Sequence, residues 1–410
     1  VRTAEGWVWR REGSTSFAVA RSEPTTVRVF VIPDAPTETE RVLATAKERI
    51  HLGAYTFASR AAATALCRAT DRGINVSMVV DGAPVGGLTY READLLDSLV
   101  ACGVEVTVLG GPHARFAFHH AKYAVVDDRV LVMTENWKPS GSGGRSNRGW
   151  GVVIESRHLA DALVSIFVAD TGWRDGIAWP AYRSSQEFDE AGVANGSYPA
   201  SHPPETMPVE AVSLLVTPDN AEGRLVVLLD NATDSIDVQQ VTLGRPGNPL
   251  VQAIIRAARR GVRVRLLLSG AWYAREENRA MAEGLRDIAR QESLPLEVRL
   301  VNPAGRFGKL HSKGVVIDGD QVIVGSINWN NNSLRRNREV AVVLHGAEAG
   351  SYYTGVFVGD WRGGLWRITV GLIGVAVVAV VGGALWARQT FEFDETGFET
   401  GQRSGVVADD

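Results

Sequence analysis

The sequence predicts an α/β fold made of two pseudo-symmetric α/β/α repeats, with an active site at their interface and a transmembrane helix near the C-terminus. Three observations support this. One order of segments occurs twice along the chain, strand patterns alternate with helix patterns inside each copy, and an uncharged run occupies residues 368–387. Alternating strands and helices favour a mostly parallel sheet covered by helices. The 410 residues are enough for two such units.

The composition is that of a globular protein and provides no overall basic charge that would favour nucleic acid. Hydrophobic residues make up 45 % of the chain, and the formal net charge is −4. Arginine greatly outnumbers lysine, so the position of each lysine is informative. The lysines are Lys47, Lys122, Lys138, Lys309 and Lys313.

The first part of the repeat runs from Val27 to Phe57 and again from Val212 to Leu243. Both stretches have the pattern of a strand, a Pro-Asp turn, a helix and a second strand. Aspartate can accept hydrogen bonds from the free N–H groups at the start of a helix. We therefore expect Asp34 and Asp219 to cap the helices that follow.

The second part of the repeat is a helix followed by a strand rich in β-branched residues, "LCRATDRGINVSMVVDG" in one copy and "IIRAARRGVRVRLLLSG" in the other. Each helix ends at a glycine, Gly73 or Gly261, as expected for a left-handed cap. A segment rich in Pro, Gly and Ser separates the copies. The predicted domains are an N-terminal segment 1–26, a first repeat 27–175, a linker 176–210, a second repeat 211–362, a transmembrane helix 367–387 and an acidic tail 388–410.

The uncharged run from Ile368 to Ala387 is long enough for a helix to cross one bilayer core. Trp361, Trp366 and Trp386 flank it, as interfacial aromatic residues do. A buried core helix is the alternative. We predict a single-pass membrane protein. A removed secretion leader would place the catalytic part outside the cell and the acidic tail inside.

Each copy carries a histidine, a lysine two positions later and an aspartate five positions after the lysine. These residues are His120, Lys122 and Asp127 in the first copy and His311, Lys313 and Asp318 in the second. Residues i and i+2 of a strand point to the same face, so each histidine projects together with its lysine. The aspartate falls on the opposite face near the hairpin turn. It either braces that turn or takes a direct catalytic part.

A hydroxyl residue and an asparagine follow each motif in the next strand, where they too share a face. They are Thr134 and Asn136 in the first copy and Ser326 and Asn328 in the second, and we predict that they bind the substrate phosphate. If the repeats associate about a pseudo-two-fold axis, two histidines, two lysines and two asparagines converge on one cleft. One imidazole can then attack phosphorus while the other protonates the leaving oxygen. Lysine charge can replace a divalent metal, so we predict neither a metal nor a cofactor.

The two His-x-Lys-x4-Asp motifs, each near a Ser/Thr-x-Asn, resemble those of the phospholipase D superfamily. The resemblance covers nearly all of residues 27–345. It implies metal-independent phosphodiester transfer through a phosphohistidine, with His120 as the nucleophile. It also implies that Glu339 orients His311. The first copy has Gly149 at the place of Glu339, so His120 lacks such a partner unless Glu135 or a residue from the other half substitutes.

Three functions follow as hypotheses. The leading one is a membrane-anchored phospholipase D or a cardiolipin-synthase-like phosphatidyltransferase that acts on phospholipid. A nuclease of the same superfamily is the second, with the arginine-rich stretch Ile254 to Arg265 as the only candidate for a basic groove. The third is a catalytically impaired module that binds anionic lipid, motivated by the irregular first motif. The oligomeric state stays open.

The two cysteines, Cys67 and Cys102, do not have the spacing of zinc ligands. We interpret them as buried free thiols, because free cysteine is among the most buried residue types. A disulfide between them is the alternative.

Overall fold

The computed structural model describes residues 2–3, 6–7, 13–190, 192–301, 303 and 305–363. Residues Val1–Trp361 form one compact unit. The predicted transmembrane helix 367–387 and acidic tail 388–410 lie outside the described residues. Among those described, no helix is both long and apolar enough to cross a bilayer.

The first repeat is built on a ten-stranded sheet. Nine strands follow one another across it in the order Gly176–Ala178, Glu105–Leu109, Asn75–Asp81, Arg49–Ala54, Tyr123–Val126, Arg129–Met133, Asn147–Glu155, Thr25–Ile32 and Glu205–Val209. The tenth, Lys309–Leu310, comes from the second repeat and pairs in parallel with the start of Asn147–Glu155. The helices of this half are Glu38–Ala44, Arg60–Asp71, Tyr90–Ala101, Arg157–Thr171 and Trp179–Arg183.

The second repeat is built on an eight-stranded sheet with a matching order. Its strands are Leu296–Leu300, Arg263–Leu268, Ser235–Gln240, Val315–Ile317, Gln321–Gly325, Glu339–His345, Ala211–Thr217 and Ala20–Arg21. Its helices are Ala221–Asp230, Pro249–Arg259, Arg275–Glu292, Asn331–Arg335 and a helix over residues 347–363. The α/β prediction is confirmed, but the expectation of a mostly parallel sheet is wrong. Within each repeat only three consecutive strands pair in parallel, Arg49–Ala54 to Glu105–Leu109 and Ser235–Gln240 to Leu296–Leu300, and the remaining pairings within each repeat are antiparallel.

Alternation along the strands divides the apolar residues between two cores. In Thr25–Ile32, Val29 and Val31 face a core shared with residues of the second repeat, whereas Phe30 and Ile32 face the helices on the outer side. Because successive side chains of a strand point to opposite faces, both faces of the sheet must be covered. The shared core therefore joins the two halves and holds their facing edges in a fixed relation.

The ends of several helices follow the predicted chemistry. Gly73 and Gly261 have φ angles of +81° and +94°, so the predicted left-handed caps are confirmed. The prediction for Asp34 and Asp219 is wrong. Thr37 and Asn220 occupy the N-cap positions of those helices, and the two aspartates bind buried arginines instead.

The prediction of free thiols is also wrong, because Cys67 and Cys102 form a disulfide. Cys67 lies in the helix Arg60–Asp71, and Cys102 follows directly after the helix Tyr90–Ala101. The two helices pack side by side on the outer face of the first sheet. This packing brings together cysteines that are 35 residues apart in the chain.

Candidate active site

Each motif histidine is bound through its backbone to the opposite repeat. The N–H of His120 donates to the carbonyl of Arg338 at 2.8 Å, and the N–H of Arg338 donates to the carbonyl of Phe118 at 2.9 Å. In the same way, the N–H of His311 donates to the carbonyl of Arg148 at 3.0 Å. Both motifs therefore lie at the interface of the two repeats.

The arginines that receive these histidines are fully buried and carry matching ion pairs. Each guanidinium contacts one aspartate from the Pro-Asp turn of its own repeat and one from the last helix of the other repeat. The pairs are Arg148–Asp34 (2.5 Å), Arg148–Asp360 (3.1 Å), Arg338–Asp219 (2.8 Å) and Arg338–Asp170 (2.9 Å). Breaking a buried pair of this kind leaves an uncompensated charge, so the arrangement holds both histidine segments in place.

His120 is oriented by a carboxylate of the second repeat. Its Nδ1 lies 2.7 Å from Oε2 of Glu339, and only 12 % of the imidazole side chain is exposed. The other oxygen of Glu339 accepts hydrogen bonds from Ser333 Oγ and from Asn337 Nδ2. The predicted contact of Glu339 with His311 is therefore wrong. Glu339 serves the histidine of the opposite repeat.

His311 is oriented by a carboxylate of the first repeat, Glu135. Its Nδ1 lies 3.1 Å from Oε1 of Glu135, and Glu135 Oε2 accepts a hydrogen bond from Asn147 Nδ2 at 2.7 Å. Both carboxylates are completely buried. The sequence suggested Glu135 only as a substitute partner for His120, and the structure corrects this by pairing Glu135 with His311.

The equivalent strand pair of each repeat carries one carboxylate, but the carboxylate occupies a different position in the two repeats. Thr134 donates its N–H to Trp150, and Ser326 donates its N–H to Val340 in the same way, so the two hairpins have the same register. Glu135 in the first repeat therefore corresponds to Ile327 in the second, just as Gly149 corresponds to Glu339. One carboxylate is present in each repeat, but it has moved across the strand pair.

The two lysines lie beside the histidines and are buried. Lys122 Nζ donates to the carbonyl of His120 and lies 5.1 Å from the centre of the Tyr55 ring. Lys313 Nζ donates to the carbonyl of His311 at 2.7 Å and lies 3.3 Å from both of its ring nitrogens. Each ammonium group therefore lies next to the motif histidine of its own repeat.

Burial sets the protonation of the site. It lowers the pKa of His120 to about 4 and that of His311 to about 3, although the adjoining carboxylate raises each in part. Burial raises the pKa of Glu339 and of Glu135, but the adjoining histidine and lysine charges outweigh it and hold both below their ordinary value. At neutral pH each Nδ1–H thus donates to a carboxylate, and each Nε2 keeps a lone pair.

Burial also lowers the pKa of Lys313 to about 8. It holds that of Lys122 well below the ordinary value, while Glu339 raises it in part. Lys313 is therefore still mostly protonated at neutral pH, and a bound anion would raise the pKa of both lysines, because opposite charge favours the ionised form.

The hydroxyl groups of Thr134 and Ser326 bind the backbone of the neighbouring strand. Thr134 Oγ1 accepts the N–H of Trp150 at 3.0 Å, and Ser326 Oγ accepts the N–H of Val340 at 3.1 Å. Both residues are fully buried. Our prediction that Thr134 and Ser326 bind phosphate is therefore replaced by a role in holding the hairpin register.

The two asparagines remain available for a ligand. The Oδ1 atoms of Asn136 and Asn328 are buried and lack a hydrogen-bond partner among the described residues. Asn328 lines a cleft of about 760 Å³. Other residues of that cleft are His120, Tyr55, Asn330, Arg245 and Arg336. The ring of Tyr55 meets that of His120 edge-on, with centroids 4.5 Å apart.

The two motif aspartates brace turns. Asp127 and Asp318 have φ angles of 56° and 52°, and each carboxylate accepts several backbone N–H groups from a loop of its own repeat. Asp127 binds the N–H groups of residues 47–49, and Asp318 binds those of residues 233–235. Although burial raises their pKa, these bonds lower it below the ordinary value. These contacts support the bracing role of Asp127 and Asp318. Among the described residues, neither aspartate has a contact that supports a direct catalytic part.

Comparison with known proteins connects this geometry to a family. A family model described as "Cardiolipin synthase, PLD-like domain" matches residues 40–171 and 225–361. Mitochondrial cardiolipin hydrolase of Xenopus tropicalis is 32 % identical over 121 residues, which are 30 % of this chain and 51 % of that protein. Cardiolipin synthase B of Salmonella typhimurium is 25 % identical over 306 residues, which cover 69 % of this chain and 66 % of that protein. The chain thus spans less than two thirds of either relative.

Solved structures show the same fold at low identity. Phosphatidylserine synthase of Haemophilus influenzae Rd KW20 superposes with a TM-score of 0.61 at 16 % identity, covering 81 % of this chain and 86 % of that one. Polyphosphate kinase from Porphyromonas gingivalis superposes with a TM-score of 0.54 at 14 % identity, covering 82 % and 50 %.

Proposed function

Because this chain belongs to the phospholipase D family, in the group described as "Cardiolipin synthase, PLD-like domain", we propose that it hydrolyses or transfers the phosphodiester of a phospholipid. One observation carries the proposal. Two imidazole–carboxylate pairs, His120–Glu339 and His311–Glu135, both cross the repeat interface, and a buried lysine stands beside each ring.

In the first proposed step, Nε2 of His120 attacks phosphorus. A P–N bond forms while the P–O bond to the leaving group breaks. Protonated His311 gives its Nε2 proton to the leaving oxygen. Lys122 and Lys313 stabilise the charge on the remaining phosphoryl oxygens. Because burial favours neutral imidazoles, the negative charge of the bound diester is what keeps a proton on His311.

The second proposed step reverses these roles. His311 takes a proton from water or from an alcohol, whose oxygen forms a new bond to phosphorus as the P–N bond to His120 breaks. Water gives hydrolysis and an alcohol gives transfer. The ionised Glu339 fixes the His120 ring and stabilises the positive charge that forms on it in the first step.

Two observations bear on the alternative functions. Three of the five arginines expected to form a nucleic-acid groove are paired with carboxylates: Arg256 with Asp230, Arg259 with Glu292 and Arg265 with Asp237. The impaired first motif, which motivated a purely lipid-binding module, is compensated by the contact of His120 with Glu339. Both findings favour an enzyme acting on lipid.

A membrane setting is part of the proposal. The uncharged run 368–387 supports it as a sequence pattern. The disulfide Cys67–Cys102 supports a catalytic part that faces an oxidising compartment, where such bonds persist.

The test is turnover of phospholipid vesicles by the purified protein in excess EDTA. We expect phosphatidic acid or a transferred phosphatidyl product, and loss of that product in His120→Ala and in His311→Ala. With radiolabelled lipid, rapid quenching should leave label on His120. Turnover that requires Mg²⁺, or turnover that survives in the double variant, would overturn the proposal.

A further inference from the structure

We propose that Tyr55 and Asp81 are positioning residues for His120, and that the residues at the equivalent positions of the second repeat, Val241 and Ser269, do not support His311 in the same way. The inference rests on the proposed function and adds two residues to its machinery. It makes the two histidines of a pseudo-symmetric site unequal.

The ring of Tyr55 contacts the histidine and the lysine of the first motif. Its centre lies 4.5 Å from that of the His120 ring, which it meets edge-on, and 5.1 Å from Nζ of Lys122. Only 8 % of Tyr55 is exposed, so its neighbours hold the ring in place. The ring can thus restrict rotation of the imidazole, and its π system favours a positive charge on the lysine.

Asp81 holds the backbone next to His120. Its Oδ2 accepts the N–H of His119 at 2.5 Å, whereas the N–H of His120 donates to the carbonyl of Arg338 at 2.8 Å. The histidine segment is therefore held from two sides, by a carboxylate of its own repeat and by the backbone of the opposite repeat. Burial raises the pKa of Asp81 to about 7, and the bonds it accepts and the charge of Lys122 lower that pKa in part. Asp81 thus also attracts the lysine of the motif.

The same two residues bind a loop that lines the cleft. The hydroxyl oxygen of Tyr55 accepts the N–H of Val85 at 2.6 Å, and Oδ1 of Asp81 accepts the N–H of Ala83 at 2.9 Å. Val85 lines the cleft together with His120, and 79 % of Val85 is exposed. Tyr55 and Asp81 therefore fix His120 relative to a wall of the cleft that a bound substrate would meet.

Val241 and Ser269 occupy the equivalent positions of the second repeat. Tyr55 and Val241 each directly follow the first strand of a parallel pair, and Asp81 and Ser269 each lie at the end of the second strand. Ser269 Oγ accepts an N–H within its own turn at 3.3 Å, but serine has one side-chain oxygen and no charge. Valine has neither a ring nor a hydroxyl group. Among the described residues, this support is therefore confined to His120, the ring that in the proposed mechanism must keep its orientation while it is bonded to phosphorus.

Two substitutions of Tyr55 separate its ring contact from its hydroxyl bond. Tyr55→Phe keeps the ring and loses the bond to Val85, so we expect KM for phospholipid vesicles to rise roughly 3- to 10-fold, with kcat within about threefold of the wild type. Tyr55→Val, which copies Val241, also loses the ring and should lower kcat by roughly 10- to 100-fold. The control Tyr90→Val makes the same change at a tyrosine that is 54 % exposed, and it should leave both constants unchanged.

Substitutions of Asp81 test the backbone contact. Asp81→Ser, which copies Ser269, should lower kcat by roughly 5- to 50-fold, because the N–H of His119 loses its acceptor. Hydrogen exchange of the His119 amide should be faster in this variant than in the wild type. Asp81→Asn keeps one acceptor oxygen and should recover part of the loss, and it carries the test if urea unfolding shows that Asp81→Ser does not fold. Unchanged kcat in both folded variants would overturn the role of Asp81.

NMR of protein labelled with ¹³C-histidine tests the ring contact independently of turnover. Tyr55→Val should shift the imidazole C–H signals of His120 and leave those of His311 in place, whereas Tyr55→Phe should retain the signals of the wild type. Unchanged His120 signals in Tyr55→Val, or equal losses of kcat in Tyr55→Val and Tyr55→Phe, would overturn the inference. Shifted signals in a protein whose wild type turns over no phosphodiester would instead reject the proposed function and leave the support of His120 standing.

Discussion

A Cβ atom added to Gly149 would lie 2.3 Å from Cγ of Glu135. No side chain at residue 149 is compatible with the position of the carboxylate that orients His311. In the second repeat, the corresponding positions hold Ile327 and Glu339, and the carboxylate projects from the returning strand. In the first repeat the carboxylate and the small residue have therefore exchanged positions, and Gly149 leaves the space that the side chain of Glu135 needs.

This exchange of positions can be tested by giving the first repeat the residues of the second at positions 135 and 149. Glu135→Ile should lower kcat by roughly 10- to 100-fold, because His311 loses the partner that fixes its ring. Gly149→Glu alone should be at least as damaging, because it crowds Glu135. The double variant reproduces the arrangement of Ile327 and Glu339 and should recover much of the loss. Kinetics of the four proteins form a double-mutant cycle with a large favourable coupling.

Gly247→Ala is a suitable control for this cycle, because a Cβ atom there meets nothing within 4 Å. It should leave kcat unchanged. Additive losses at residues 135 and 149 would contradict the proposed exchange.

Glu339→Gln should act through His120 rather than on the substrate. The Glu339 charge raises the pKa of His120, so its removal should lower that pKa further. We expect kcat to fall by roughly 10- to 100-fold, with little change in KM. The measurements are steady-state kinetics and titration of the His120 ring by NMR. An unchanged titration would exclude this positioning role.

Asp127→Asn should lower stability and spare catalysis. Asparagine tolerates the positive φ of residue 127 but accepts the backbone N–H groups of residues 47–49 without full charge. We expect a loss of about 1–3 kcal/mol in the free energy of unfolding. The value of kcat should stay within about threefold of the wild type. Asp318→Asn is the matched variant in the other repeat. A thousandfold loss of kcat in the folded protein would instead assign these aspartates a catalytic part.

Removal of the disulfide should destabilise the protein without disturbing the site. The bridge closes a loop between positions 35 residues apart, so the double variant Cys67→Ser/Cys102→Ser should lose about 2–4 kcal/mol of unfolding free energy. Urea unfolding with and without a reductant measures this loss. The wild type under reducing conditions and the variant should agree. A change in kcat below the unfolding transition is not expected, because both cysteines lie on outer helices.

Acid sensitivity of the fold should depend in part on His119. Burial lowers its pKa to about 3 in the folded protein, against roughly 6.5 when unfolded. As the pH falls between these values, the unfolded chain binds a proton that the folded chain does not, so the free energy of unfolding decreases.

His119→Asn removes this contribution. Between about pH 7 and about pH 4.5 the variant should lose about 2–3 kcal/mol less stability than the wild type. Asp81, whose pKa burial raises to about 7, acts in the opposite direction but is common to both proteins. Equal pH dependence of the two proteins would show that folding does not lower the pKa of His119.

Local patterns were enough to predict the alternation of strands and helices and the two histidine–lysine pairs that the structure places at the repeat interface. Strand alternation, glycine caps and the spacing of His120 with Lys122 depend on neighbours in sequence, and the structure retains them. The fold class followed from the repetition of these patterns.

The errors concern contacts that only tertiary packing creates. Glu339 was assigned to the histidine of its own repeat, whereas the histidine segments cross to the opposite strand, as the bond from His120 to Arg338 shows. Asp34 was assigned to a helix start, but it pairs with Arg148, a residue 114 positions away. One feature of the sequence did point to the correct arrangement. The first repeat has Gly149 at the place of Glu339 but also has Glu135 at the place of Ile327, which indicates that the carboxylate changed position rather than disappeared.

The crossing of carboxylates between the halves constrains how this protein can change. A defect in either half disables the histidine of its neighbour, so neither copy can decay or specialise alone. An isolated half would need a second copy of itself to pair even one of its motif histidines with a carboxylate. Because the two halves belong to one chain they need not be identical, and the carboxylate can stand on different strands in the two halves, at Glu135 in one and at Glu339 in the other.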